Sequence, residues 1–326
     1  MKLRDLGEFP FLQRLRERVP ADARVLLDIG DDCAALSLPG TTVLTTDALI
    51  ENVHFRREWG SFFQLGEKAF ATSASDVAAM GGEPAFALLS LGVPQDDEVE
   101  ELENFFDGFL HGAASCGTAL VGGNMSAAPC FMISVTLLGH AAHGVITRRG
   151  ARIGDELYVS GTLGDAALGL RMLQERKADA ETQHVKTRFL TPTARVTIGR
   201  AVAARKLATA MIDVSDGLLQ DLGHLCNESR VGAVVDAPLL PLSSAYRSLV
   251  GTQNWNVALT GGEDYELLFT APTEHSAAVA DLAKEQNCPI TCIGSIVAYA
   301  EGIHVTGEGG AAYVPGRAGH DHFRRT

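Results

Sequence analysis

"QLGEKAFATSASDVAAMGG", residues 64–82, is built from helix formers and stops on a glycine pair, and the next run, "AFALLSLGVP" (85–94), is apolar and closes on Gly-Val-Pro. The two read as a helix followed by a buried strand. Upstream, "TTVLTTDAL" (41–49) is β-branched and carries Asp47 near its end, as a strand running into a loop does. Downstream, an acidic amphipathic helix from about Asp96 to Ser115 precedes a second buried strand, "FMISVTLLGH" (131–140). Strands that alternate with helices give an α/β (α+β) fold. On the helix, positions 65, 69, 72, 76 and 80 share one face and read Leu, Ala, Thr, Asp, Met. That face is expected to be buried, so Asp76 would point a carboxylate into the protein. A buried carboxylate needs an ion pair, a proton or a metal.

The 326 residues, 46% of them hydrophobic, are enough for two domains. Composition shifts at the turn-rich "TRRGARIGDELYVSG" (147–161), which places a boundary between domains 1–147 and 148–326. The second half repeats the mixture, with a helix after "TLGDAALGL", strands at "AMIDV", "YELLFTAP", "ITCIGSIV" and "IHVT", and helices at "GLLQDLGHL" and "AAVADLAKEQ". A net charge of −13 argues against a nucleic acid or an anionic membrane as partner, since both require clustered Lys and Arg. Cys33, Cys116, Cys130, Cys226, Cys288 and Cys292 form no CxxC pair and no metal-finger spacing, which suits reduced thiols in the cytoplasm. No signal segment opens the chain, and the apolar stretch 119–146 is broken by glycines, Asn124, Pro129 and two histidines, so no membrane span is expected.

Five short stretches share one chemistry: Asp31 and Asp32 in "IGDDCA", Asp47 in "TTDAL", Asp76 in "SDVAAMGG", Asn124 in "VGGNMS", and Asp213 and Asp216 in "DVSDG". Any one of these alone reads as a turn or a helix cap; Ser215 and Asp216, for example, suit a cap on a helix starting near Gly217. Their recurrence beside apolar or small residues points to a shared divalent cation. Hard oxygen donors without His or Cys favour Mg²⁺ over Zn²⁺. Neither a P-loop nor a G-x-G-x-x-G fingerprint is present. Phosphate would then be held by metal, by backbone amides such as those of the Gly-rich turn "SGTLGDAALG" (160–169), and by a few arginines such as Arg148 and Arg149. For that Gly-rich turn a purely structural role is at least as good a reading.

Taken in order, "IGDDCA", "TTDAL", "NVHF", "SDVAAMGG", "GGN", "TRRGARIGD", "DVSDGL", "GGEDYELLF" and the closing "GHDHF" (319–323) resemble the thiamine-monophosphate kinases of the aminoimidazole-ribonucleotide-synthetase-like (PurM-like) superfamily. The resemblance implies ATP-dependent phosphorylation of thiamine monophosphate to thiamine diphosphate with several Mg²⁺ ions. It also implies a two-domain PurM-like fold: an N-terminal sheet that forms a barrel across a homodimer, and a C-terminal α/β domain. On this resemblance the metal ligands fall on Asp31, Asp32, Asp47, Asp76, Asn124, Asp213 and Asp216. ATP contacts fall on Thr45, Thr46, Gly123, Asn124, Arg148 and Ser215, and substrate contacts on His54, Glu263 and His320. Asn124 stands where many relatives carry Asp, and His320 where an aromatic residue is common.

The acceptor in such a reaction is a phosphate oxygen that is already anionic, so no general base is required, and the sequence shows no nucleophile-and-base signature. Two rivals remain at this level. A selenophosphate or purine-pathway synthetase shares the fold, but the former needs a reactive Cys near the N-terminus, and residues 1–32 contain none. A non-catalytic regulator would be marked by loss of the aspartates, which are present.

Overall fold

The computed structural model describes residues 1–6, 8–27, 35–37, 40–177 and 179–316. Asp31, Asp32, Cys33 and His320 lie outside the described residues. The chain divides into two compact units, Met1–Val77 with Gly82–Ala142, and Ala78–Gly81 with His143–Thr326.

The first unit opens with helices α1 (Leu3–Leu6) and α2 (Glu8–Arg18) and a small pair of antiparallel strands, β1 (Val25–Leu27) and β2 (Ala35–Leu36). It continues with β3 (Thr42–Ile50), α3 (Phe62–Ala79), β4 (Glu83–Val93), α4 (Val99–Ser115), β5 (Ala119–Ala127) and β6 (Met132–His140). These last four strands make one sheet in the order β3-β6-β4-β5, antiparallel except for β4 and β5. The parallel pair requires a crossover, and α4 supplies it. One face of the sheet is buried through Leu49, Leu89, Leu91, Ile133, Val135 and Leu137, while the alternate residues Leu44, Thr46, Leu88, Ser90 and Met132 are exposed on the other.

Phenylalanines fill the space under the sheet: Phe105 meets Phe131 edge-on at 5.4 Å and Phe70 meets Phe109 edge-on at 5.7 Å. Helices α3 and α4 pack backbone to backbone. A Cβ on Gly66 would lie 2.1 Å from the Phe105 carbonyl oxygen, and one on Gly108 would lie 1.9 Å from that of Phe63. No side chain fits at either crossing point.

The second unit contains β7 (Glu156–Ser160), α5 (Asp165–Gln174), α6 (Gln183–Leu190), α7 (Val196–Ala204), β8 (Ala210–Val214), α8 (Leu218–Ser229) and β9 (Val231–Asp236). It ends with α9 (Ser244–Val250), α10 (Asn256–Thr260), β10 (Glu266–Ala271), α11 (Ser276–Glu285), β11 (Ile290–Ala298) and β12 (Ile303–Thr306). Its six-stranded sheet has the order β12-β9-β11-β7-β10-β8, antiparallel except for β12 on β9. Leu157, Val159, Ile212, Val214 and Leu268 form a core with Leu222 and Leu225 of α8. The described cysteines are all free thiols, and no helix among the described residues is long and apolar enough to cross a membrane.

The helix carrying Asp76 departs from expectation. Leu65, Asp76 and Met80 are half-buried, as are Phe63, Gln64 and Glu67 in the first turns, whereas Ala69, Thr72 and every other residue of the helix are buried. The helix is enclosed on most sides, and the stripe bearing Asp76 is its more open edge.

The Gly66–Gly108 contact yields a test. Alanine is the better helix former by about 1 kcal/mol in isolation. The backbone clash outweighs that gain, and Gly108→Ala is expected to destabilise the protein by about 1–3 kcal/mol in urea unfolding. An unchanged or raised midpoint would show that the helices separate freely.

Candidate active site

In the first unit, Thr45 and Asp47 alternate on the face of β3 that looks toward α3. Thr45 Oγ1 donates to Asp76 Oδ2 at 2.5 Å. The carboxyl of Asp47 is pushed up to about 6, first by burial and then by the neighbouring charge of Asp76, with the Ser73 hydroxyl opposing the shift. Asp47, Asp76 and Thr45 therefore form one cluster in which repulsion between two carboxylates is only partly relieved.

Thr46, next along the strand, faces the other way. Its hydroxyl donates to the Val135 carbonyl at 3.1 Å and accepts from Thr136 at 3.2 Å. Asn124 also lies on that open face: it pairs with exposed Ser90, and its amide donates to Ser126 Oγ at 3.2 Å. The row through Asp47 runs by way of Val135 and Leu89 to Gly123, three strands away, so Asn124 does not join the Asp47–Asp76 pair within this unit. Gly123 has a packing reason of its own, since a Cβ there would stand 1.9 Å from the Leu89 carbonyl oxygen.

His54 closes the turn after β3, where its Nδ1 accepts the Ile50 N–H at 3.0 Å. That bond makes Nδ1 the acceptor and leaves the ring's hydrogen on Nε2. Arg57 stiffens the same turn by a bidentate pair with Asp97 at 2.8 Å and a bond to Glu51 at 2.9 Å.

In the second unit, two motifs that are about 50 residues apart in sequence meet through strand pairing. Strands β8 and β10 run antiparallel with Leu267 opposite Asp213, which sets the "DVSDG" loop against "GGEDYE". The Glu263 N–H donates to the Ser215 carbonyl at 2.7 Å and the Tyr265 N–H to that of Val214 at 2.8 Å. Gly262 permits this approach, because a Cβ there would sit 2.5 Å from the Ser215 carbonyl oxygen. Glu263 and Tyr265 adopt φ of 70° and 52°, a left-handed backbone that costs non-glycine residues on the order of 1–3 kcal/mol each. Such strain persists where the surroundings fix it, and it aims the half-buried Glu263 beside Ser215. Asp213 is 3% exposed, and Asp216 accepts from the Gln220 amide at 3.0 Å.

Neither Ser215 nor Asp216 caps α8, as the sequence suggested; Gly217 holds that position without a side-chain bond. The N–H groups of residues 215–217 turn instead to Asp221, whose Oδ2 accepts all three at 3.0, 3.0 and 3.1 Å. Burial and the charges of Asp213 and Asp216 push its carboxyl up to about 7 against these bonds. Sequence reading passed over Asp221, and the available signal was an acidic residue in the first turn of an otherwise leucine-rich helix. It also passed over Asp264, which is fully buried and pushed up to about 7, chiefly by burial. Asp264 accepts the N–H groups of Gly164 at 2.6 Å and Ala166 at 3.2 Å. These amides open α5, so the Gly-rich turn considered for a phosphate already holds the protein's own carboxylate. Arg148 is exposed; its carbonyl accepts from Ser229 Oγ at 2.8 Å, and that hydroxyl in turn accepts the Gly150 and Ala151 N–H groups.

Among the described residues, no three acidic, histidine or cysteine side chains are gathered closely enough to hold a metal alone. The donor chemistry still fits a hard divalent ion: carboxylates adjoin one another in both units, and burial with the neighbouring charge raises the proton affinity of Asp47 and of Asp221, as it does where a cation is due.

Residues 30–141 match the AIR synthase related protein N-terminal domain, and residues 152–306 match the corresponding C-terminal domain. The thiamine-monophosphate kinase of Escherichia coli O157:H7 is 39% identical over 325 residues, covering 97% of this chain and 98% of that protein. A crystal structure of thiamine-monophosphate kinase from Stenotrophomonas maltophilia K279a superposes with a TM-score of 0.84 at 39% identity, covering 94% of this chain and 98% of that one. AaThiL complexed with AMPPCP and TMP follows with a TM-score of 0.76 at 36% identity, covering 98% of both chains. Near-complete coverage at this identity, over both AIR-synthase-related domains, means that the chain belongs to the thiamine-monophosphate kinase family.

Proposed function

We propose that this protein transfers the γ-phosphoryl group of ATP to thiamine monophosphate, giving thiamine diphosphate. The observation that carries the reading is the likeness, spanning almost the whole chain, to thiamine-monophosphate kinases, including one complexed with AMPPCP and TMP. The reaction brings together two anionic reactants, so the need is for charge neutralisation and alignment more than for acid-base chemistry. In this reading Asp47, Asp76, Asp213 and Asp216 are donors for Mg²⁺, joined by Asp31 and Asp32. Mg²⁺, when bound, offsets the charge on the phosphate oxygens. Thr45 orients Asp76 through the 2.5 Å hydrogen bond. Glu263 supplies negative charge to the cationic thiazolium ring, and His54 keeps its proposed substrate contact on the sequence resemblance. Gly123, Ser215 and Arg148 remain proposed ATP contacts. Thr46 and Asn124 are less well supported in first-unit geometry, because both lie on the open face of the sheet. His320 keeps its proposed place over the substrate on the sequence resemblance. The N-terminal domain is assigned ATP and metal binding and dimerisation, and the protein is placed in the cytoplasm.

Incubation with ATP, Mg²⁺ and thiamine monophosphate is expected to yield thiamine diphosphate. Its absence would overturn the assignment.

Asp47→Ala and Asp213→Ala are expected to lower turnover at least 1,000-fold, or about 4 kcal/mol, while the fold persists. Linkage adds a pH signature. A carboxyl at about 6 binds its proton more tightly in the folded, metal-free protein than in the unfolded chain. This contribution to stability is therefore present at low pH and is lost as pH rises through about 6. Mg²⁺ competes with that proton, so the Mg²⁺ concentration for half-maximal rate should climb steeply below pH 6. Melting of the metal-free protein at pH 5 and pH 8 should show a larger pH increment in wild type than in Asp47→Ala, the remainder coming from Asp221 and Asp264, whose carboxyls are pushed up to about 7. Near-wild-type activity of either variant at saturating Mg²⁺ would remove the metal assignment.

Glu263→Gln removes opposite charge with little change in size. It should raise KM for thiamine monophosphate about tenfold and leave that for ATP within twofold. Equal losses for both substrates would show that Glu263 does not face the thiamine portion. Unphosphorylated thiamine should be a poor acceptor, because it lacks the anionic oxygen.

The open sheet face, with Leu44 at 67% exposure, Met132 at 39% and Leu88 at 37%, supports a homodimer closed through this sheet. Light scattering at micromolar concentration should give twice the chain mass, and Leu44→Lys with Leu88→Lys should give the monomer. A wild type that is monomeric at that concentration would exclude the barrel.

A further inference from the structure

We propose that Asp221 is a positioning residue, an anionic clamp that presets the shape of the loop carrying Asp213 and Asp216. The proposal rests on the phosphotransferase reading above. Three consecutive amides, those of Ser215, Asp216 and Gly217, converge on the one oxygen Oδ2 at 3.0–3.1 Å. Such a nest of N–H groups is an anion-binding concavity, and here the anion is the protein's own. Asp221 is 3% exposed. Its backbone belongs to the first turn of α8, whose Leu218, Leu222 and Leu225 are fully buried in the second unit's core. The clamp therefore reaches the loop from a rigid support.

On its other side the loop is tied to the "GGED" segment by the bond from the Glu263 N–H to the Ser215 carbonyl. Both faces of residues 215–217 are thus fixed before any ligand arrives. A clamp made only for folding would better be neutral, because Asp221 is a buried carboxylate held against the loop that carries the carboxylates of Asp213 and Asp216. What the charge secures is the strength of the hold on three N–H groups, since hydrogen bonds to an ionised carboxylate are shorter and roughly twice as strong as those to a neutral amide oxygen. Asp221 spends Oδ2 on the backbone and acts through the ligands that the loop presents.

The test uses the full chain with Mg²⁺ and the non-hydrolysable analogue AMPPCP. In wild type without ligand, hydrogen exchange at residues 215–217 should be at least tenfold slower than at the exposed amides of residues 142–144. Asp221→Asn should keep its circular dichroism and exchange these amides at least tenfold faster. Calorimetry should show that it needs at least fivefold more Mg²⁺ for half-maximal AMPPCP binding. In turnover, kcat should fall at least tenfold while KM for thiamine monophosphate stays within twofold. Asp221→Glu keeps the charge and displaces it by one methylene, and it should shift the Mg²⁺ requirement less than Asp221→Asn. If Asp221→Asn does not fold, Asp221→Glu against wild type decides: an Mg²⁺ requirement shifted with KM unmoved supports the clamp, and an unshifted one overturns it. Fast exchange at 215–217 in wild type overturns the proposal outright, as does an Asp221→Asn protein with an unmoved Mg²⁺ requirement. A wild type that binds Mg²⁺ and AMPPCP but makes no thiamine diphosphate overturns the functional reading alone, and the exchange and Mg²⁺ measurements still judge the clamp.

Discussion

Repulsion between neighbouring carboxylates is the constraint around which both units are arranged. Asp47 faces Asp76, and Asp221 faces Asp213 and Asp216, and burial together with the neighbouring charge raises the proton affinity of Asp47 and of Asp221. A protein selected only for stability has no reason to assemble such groups, since a neutral side chain at any one of these positions relieves the strain. The arrangement makes sense where a cation is part of the working state. An acidic chain can then handle anionic phosphates, because the same carboxylates that would repel a phosphate attract the ion that binds it.

The remaining buried acids show that the fold can neutralise a carboxylate when neutralisation is the aim. Glu266 is fully buried, yet it receives Arg188 at 2.7 Å, both nitrogens of the Arg195 fork at 2.6 Å and the Ser160 hydroxyl at 2.6 Å. Asp165, also fully buried, accepts the Thr162 and Ser243 hydroxyls at 2.7 and 2.6 Å. Asp264 is taken up by the amides that open α5, although burial still pushes its carboxyl up to about 7. Removing one partner of the Glu266 cluster would strand buried charge, at a cost of roughly 3–5 kcal/mol. These acids hold helices and strands together through donors of opposite or partial positive charge. Asp221 stands between the two kinds, satisfied by backbone on one oxygen and opposed by acids nearby.

Much of this was legible in the sequence. Period and punctuation marked β3, α3, β4, α4 and β6 in the first unit, and β8, α8, β10, α11, β11 and β12 in the second, because each is a continuous apolar or amphipathic run. Strands β5, β7 and β9 were harder to see. Gly122 and Gly123 interrupt β5, where at Gly123 the chain runs too close to β4 for a side chain, β7 follows directly on a turn-rich segment, and Gly232 falls within β9. The aspartate motifs stood out through recurrence. Side-chain direction did not: Thr46 and Asn124 share motifs with Asp47 and Gly123 but face the other side of the sheet, since successive strand residues alternate.

The support beneath the site was the least legible part, and the reason is physical. A ligand residue is recognisable because its chemistry is unusual for its neighbourhood, whereas a supporting residue is recognisable only by what it touches. Asp221 in "LLQDLGHL", Asp264 in "GGEDYELLF" and Ser229 at the end of α8 are ordinary residues in sequence. Their roles arise where the chain leaves a strand or opens a helix: the amides of residues 215–217 follow β8, those of Gly164 and Ala166 open α5, and those of Gly150 and Ala151 precede β7. Those amides have to be satisfied somewhere. Asp221, Asp264 and Ser229 are where the fold satisfies them, and in doing so each carboxylate converts an irregular loop into a surface of fixed shape beside Asp213, Asp216 and Glu263.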